Sequence, residues 1–159
     1  MSKIIVCGPA CSGKDTLVSR FVNRGFRKDV SYTTRPKREN EIDGEDYHFI
    51  SKKGFEELIQ QGRFYEYVIF KGNYYGTLLD SWENSDIFIM EPQGINHLSA
   101  IDRVNAFIIY LDINENERIN RMRKERSWTD EQIRSRINID NEAFSDFKDY
   151  DLKITNINF

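Results

Sequence analysis

Short apolar runs alternate along the chain with stretches in which apolar residues return every three or four positions. Ile4, Ile5, Val6 and Cys7 form the first run, a buried strand over 3–7. Residues 14–23 follow, with Leu17, Val18, Phe21 and Val22 on one side of a helix. Runs over 86–90 and 106–111 predict two more buried strands, each leading into a helical pattern, 93–101 and then 115–126. A last strand is expected over 152–155. Strands separated by helical crossovers favour a parallel sheet covered on both faces.

The middle of the chain breaks this rhythm. An Arg/Lys-rich loop precedes a helix over 52–61 that stops at Gly62. The run 64–70, the turn Lys71-Gly72-Asn73 and the pair Tyr74-Tyr75 then read as antiparallel strands. This is a small α+β insertion on a parallel α/β frame.

Composition narrows the class without supplying a function. The 159 residues suit one domain, and 11 Phe, 8 Tyr and 2 Trp give large burial per residue to a chain that is 39% hydrophobic. No run approaches the roughly 20 apolar residues that span a bilayer, and the start is too short in apolar residues for a signal peptide. A net charge of -3 exerts no general pull toward nucleic acid. Two cysteines, Cys7 and Cys11, build neither a disulfide framework nor a four-ligand zinc site. The expectation is a cytoplasmic protein with reduced thiols, no membrane contact and no nucleic-acid partner.

Between the first strand and first helix stands Gly8-Pro9-Ala10-Cys11-Ser12-Gly13-Lys14-Asp15-Thr16. This is Gly-x4-Gly-Lys in the context that gives it meaning. The glycines let the loop curl so that backbone N–H groups face phosphate oxygens, the helix N-terminus adds positive potential, and Lys14 reaches the β and γ phosphates. A Ser or Thr usually follows the lysine and offers its hydroxyl to Mg2+; here Asp15 stands there. Two readings stay open for it: an acid favoured by the helix dipole, or a carboxylate facing the metal directly or through water. Thr16 offers a hydroxyl to phosphate.

Ser31-Tyr32-Thr33-Thr34-Arg35-Pro36-Lys37-Arg38, Gly44-Glu45-Asp46-Tyr47-His48-Phe49 and Gly72-Asn73-Tyr74-Tyr75-Gly76-Thr77, with the phosphate loop, resemble the guanylate kinases over nearly the whole chain. The resemblance implies a P-loop three-layer α/β fold with a central parallel sheet. It also implies a core of 1–30 and 78–159, a GMP-binding segment of about 31–77 and a short helical lid of about 121–137. By the same resemblance Arg35 and Arg38 present guanidinium forks to the GMP phosphate, and Tyr47 and Tyr75 donate hydroxyls to it. Glu66 accepts from guanine N1–H and N2–H2, Ser31 and Thr77 add hydroxyls near O6 and the ring, Gly76 lies in the same motif, and Glu91 takes the place of a further guanine-contacting acid. Adenine would set an acceptor against Glu66, a costly mismatch.

Two departures from the family pattern accompany these matches. An acid that orders the metal's waters is replaced by Ile89, so Asp15 is the expected compensation. In the lid, Arg121 and Arg136 match arginines that converge on the transferring phosphoryl group, while a third is Glu125 here, with Arg126 beside it as substitute. Asn156 falls near the donor's adenine. The implied reaction is in-line phosphoryl transfer from Mg·ATP to GMP, and to dGMP, by a monomer or homodimer. Lys14, Arg35, Arg121 and Arg136 carry the charge stabilisation, and no general base is needed. A relaxed nucleoside monophosphate kinase and a non-catalytic peptide-binding module are the alternatives.

Overall fold

The computed structural model describes residues 2–156 and 158. In chain order its elements are β1 (Lys3–Cys7), α1 (Lys14–Val22), β2 (Tyr32–Thr33), β3 (His48–Phe49), α2 (Lys52–Gln60), β4 (Phe64–Phe70), β5 (Asn73–Leu78), α3 (Leu79–Asn84), β6 (Ile87–Ile89), α4 (Pro92–Ile95), α5 (Ala100–Val104), β7 (Ala106–Leu111), α6 (Glu115–Arg126), α7 (Asp130–Phe144) and β8 (Leu152–Ile154). They group into two units, one made of the chain up to Phe26 and from Ile87 on, the other of Arg27–Asp86.

The first unit is built on a four-stranded sheet in the order β6-β1-β7-β8. All of its pairings are parallel, with Val6 opposite Ile89 on one side and Ile109 on the other. Because alternate residues of a strand face opposite ways, Val6, Ile109 and Leu111 pack with Leu17 and Val18 of α1 on one face. On the other face Tyr110 stacks on Phe144 of α7 at 5.3 Å. Helices thus cover both faces, the expected three layers. The C-terminal ends of β1, β6 and β7 lead into the Gly8 loop, Glu91 and the approach to α6, the end of a parallel sheet where ligands are bound.

Two helical expectations change. The pattern over 93–101 is two short helices, because Ser99 starts α5 anew by accepting from the Asp102 N–H at 3.1 Å. The helix opening at Asp130 continues to Phe144, capped by Thr129 and Gln132 in a reciprocal box and kept inward by Ile133, Ile137 and Phe144. A second hydrophobic cluster, Met122, Ile133 and Ile137, joins α6 to α7, with Ala10, Cys11 and Trp128 packed against it.

The second unit holds a sheet in the order β3-β2-β5-β4. The β4–β5 hairpin turns at Lys71-Gly72 and is antiparallel, as expected; β2 and β3, a parallel pair, are too short for periodicity to reveal. Phe55 of α2, fully buried, stacks on Phe64 at 4.3 Å and Tyr74 at 4.8 Å. Trp82 of α3 lies flat on Tyr65 at 4.1 Å.

Asp29 is 4% exposed and accepts hydroxyls from Ser31 and Ser81. Burial pushes its carboxyl above the usual range, with the two hydroxyls pulling the other way. As pH rises from about 4, the unfolded chain loses this proton before the fold does, so stability falls through the raised range. Asp29→Asn is therefore expected to melt higher than the parent at neutral pH, by a margin that shrinks toward about pH 4. Melting curves across that interval check this, and a margin that does not vary with pH would refute it.

Candidate active site

Gly13 begins α1 with φ 95°, a left-handed conformation that a side chain resists, and this turn aims the loop into the helix. Gly8 and Pro9 are buried, Ala10 and Cys11 half-buried, and Ser12 is 1% exposed. The Ser12 Oγ has no hydrogen-bond partner among the described residues. The Lys14 ammonium crosses the loop to the carbonyls of Gly8 at 2.6 Å and Pro9 at 3.1 Å. Asp15 and Thr16 are exposed on the first turn of α1. Among the described residues no group of three His, Cys, Asp or Glu side chains is arranged to hold a metal ion.

The lid residues do not share one fate. Arg121, on α6, donates to the Cys11 carbonyl at 3.1 Å, so it reaches the phosphate loop. Arg136, on α7, donates its Nε to Asp140 at 2.9 Å. Arg126 is half-buried in the last turn of α6. Asn156 is exposed beyond β8 and accepts from the Asn158 N–H at 2.9 Å. Glu91 belongs to this unit too. Burial pushes its carboxyl up, and the charges of Lys14 and Arg136 pull it back down.

In the second unit Arg35 is held on several sides. Its guanidinium carbon sits 5.4 Å from the Tyr47 ring and 5.7 Å from Phe49, and Tyr47 meets Tyr75 edge-on at 6.0 Å. Its two terminal nitrogens form a fork with Glu41, at 2.6 and 2.9 Å. The Arg38 N–H also donates to Glu41, at 2.8 Å, and the Arg38 guanidinium lies 3.8 Å from the same carboxylate on a side chain 41% exposed. Burial works against the Glu41 charge, yet these donors hold its carboxyl below the usual range. Arg35 and Arg38 are thus organised around a carboxylate, with the Tyr47 ring against Arg35 and Tyr75 against Tyr47; a phosphate edge offers such a fork a similar pair of oxygens.

Glu66 and Thr77 are directly opposite in the β4–β5 ladder, 7% and 1% exposed. The register shift between Phe64 and Glu66 makes Tyr65 the extra residue and turns Glu66 inward. Gly76 is required by contact: a Cβ there would stand 2.8 Å from the Phe64 ring and 2.9 Å from the Glu66 carbonyl. Ser31 spends its proton on Asp29 at 2.7 Å, which leaves its oxygen to face a ligand as an acceptor.

Four charged residues of these surroundings lie outside the sequence reading: Asp29, Glu41, Arg118 and Asp140. Arg118 and Asp140 pair at 3.2 Å with side chains 5% and 3% exposed. A signal for them existed, since Arg118 is four residues before Met122, and Asp140 lies between Ile137 and Phe144 on the buried face of α7.

Comparison with known proteins identifies the family. The family model described as guanylate kinase matches residues 1–159. A guanylate kinase of Nostoc sp. is 34% identical over 166 residues, 98% of this chain and 82% of that one. A guanylate kinase of Clostridioides difficile is 34% identical over 161 residues, 96% of this chain and 78% of that one. The crystal structure of guanylate kinase from Anaplasma phagocytophilum superposes with a TM-score of 0.72 at 22% identity, covering 98% of this chain and 76% of that one, and so shares the fold. By a match that runs the length of its sequence, this chain belongs to the guanylate kinase family.

Proposed function

We propose that the chain transfers the γ-phosphoryl group of ATP to GMP, giving GDP, and accepts dGMP as well. The observation that carries this reading is the buried Glu66 facing Thr77 on the strand pair that also presents Tyr75, with Arg35 and Tyr47 in the same unit. Such a pair suits a base whose Watson–Crick edge donates, and the arginine fork suits a phosphate. Guanylate kinases use ATP as donor, and the relatives found favour neither the relaxed kinase nor the non-catalytic module.

In this reading the loop 8–13, Lys14 and Thr16 hold the donor's phosphates, and Arg126 and Asn156 stand by its adenine side. Arg121 and Arg136 neutralise charge on the group in flight. Arg35, Arg38, Tyr47 and Tyr75 hold the acceptor's phosphate, whose oxygen is nucleophilic without a base. Glu66, Ser31, Thr77 and Gly76 frame the guanine, with Glu91 as a further acceptor. The segment 31–77 and the lid 121–137 act as the moving parts of a cytoplasmic monomer or homodimer that handles free nucleotides.

Mg2+ would arrive with ATP as part of the substrate and would supply positive charge against the phosphates. The exposed carboxylate of Asp15, one residue after Lys14, has the hard oxygen donors this ion prefers and fits a contact through one of its waters. Asp15→Ala is expected to raise the Mg2+ requirement about tenfold. Unchanged turnover and Mg2+ dependence would remove Asp15 from that role. A coupled assay with Mg·ATP against GMP, dGMP, AMP, CMP, UMP and dTMP tests the whole reading. Turnover confined to the guanine nucleotides supports it, and absence of GMP turnover by the folded protein overturns it.

A further inference from the structure

Asp140 is 2% exposed, and its carboxylate gathers donors from three segments of the chain. Its Oδ2 accepts the Ala10 N–H of the phosphate loop at 3.0 Å and the Arg118 guanidinium of α6 at 3.2 Å. Its Oδ1 accepts the Nε of Arg136, one turn earlier on α7, at 2.9 Å. The next loop residue, Cys11, is held from α6 through its carbonyl by Arg121. Cys11 also has φ 59°, a left-handed backbone that a residue with a side chain keeps only when its surroundings impose it. Two consecutive loop residues are therefore gripped by the two helices that carry the lid arginines.

We propose that Asp140 is a positioning residue: it ties the phosphate loop to α7 and aims Arg136 at the transferring phosphoryl group. The proposal rests on the kinase reading of Arg136 and the loop. Stability alone is a poor explanation for the cluster. A buried ion pair gives little net stabilisation over well-packed apolar residues, and the neighbouring Met122, Ile133 and Ile137 show what the same faces use elsewhere. The ionic arrangement instead provides direction, because a carboxylate accepting Nε fixes the plane of the arginine fork. It also provides connection, since the Asp140 side chain joins α7 to the loop backbone by a hydrogen bond, a directional link that the apolar packing beside it lacks.

Asp140→Ala alone would strand Arg118 in the interior, so the informative comparison is with Arg118→Met and with Arg118→Met/Asp140→Ala, where the buried pair is removed as a unit. The double variant is expected to regain most of the melting temperature lost by Asp140→Ala. Its kcat stays about 100-fold below the parent while KM for GMP changes little, and amide exchange at residues 10–12 speeds up about tenfold. Arg118→Met alone keeps kcat within about threefold, because Asp140 retains Ala10 and Arg136. Recovery of kcat together with melting temperature in the double variant would overturn the proposal, as would loop exchange unchanged from the parent. Should the double variant fail to fold, Asp140→Asn, which preserves volume, carries the same two readouts. If the parent does not phosphorylate GMP, the kinase reading falls, and the exchange comparison still decides whether Asp140 tethers the loop.

Discussion

Lys14→Met is expected to lower kcat for GMP phosphorylation by about 10³-fold while the protein folds and melts much as before. The lysine is half-buried and its ammonium rests on the Gly8 and Pro9 carbonyls, so the folded loop already positions the charge. Methionine retains the length and much of the packing of the stem, which separates loss of charge from loss of structure. What disappears, in the proposed role, is a cation at the β and γ oxygens, where negative charge shifts as the bond to the leaving phosphate lengthens. Turnover under saturating nucleotides, with a melting curve beside it, makes the comparison. A decline of less than tenfold would mean that the loop's backbone donors carry the donor phosphates without Lys14.

Glu66→Gln is expected to reduce kcat/KM for GMP by about 10³-fold and to narrow its advantage over AMP. The substitution is nearly isosteric at a position 7% exposed, so β4 and its bulge should survive. The carboxylate offers two acceptors to guanine's two adjacent donors. The amide keeps one and turns a second donor toward a donor, an unsatisfied buried contact on each side. Adenine gains in relative standing because the amide can donate to its N1. Kinetics with both monophosphates check the result; GMP efficiency within threefold of the parent would show that Glu66 does not read the base.

The parts of the fold legible in the sequence are those governed by short-range rules. The first strand, the glycine-bounded loop and α1 follow from a run of apolar residues, a turn that needs Gly13 and a helical stripe. The hairpin of β4 and β5 follows from its turn residues. Glu66 and Thr77 are visible as motif residues, but their meeting depends on a one-residue bulge, and nothing in the local pattern announces where a ladder slips. The break between α4 and α5 is written in Ser99 and Asp102, a cap that lies inside an otherwise continuous helical periodicity. Glu41 resembles a solvated surface charge until the turn around it brings Arg35, while Arg118 and Asp140 fall at inward helical spacing, a signal that their charge masks until the pair is seen. Asp140 and Ala10 are 130 positions apart, and only the parallel sheet's crossovers bring them together.

The stacking of Trp82 on Tyr65 and the packing of Trp128 against the Met122, Ile133 and Ile137 cluster divide the protein's two tryptophans between its two units. Each unit therefore carries a single tryptophan, which can be excited apart from the tyrosines at the red edge of its absorption. Trp82 emits from an almost dry aromatic stack and Trp128 from a half-buried place on the cluster that joins α6 to α7. Replacing either one with phenylalanine leaves a one-colour probe of the other unit. If the proposed sites hold, the arrival of the two nucleotides can then be timed separately, in a mixing experiment that needs no attached dye.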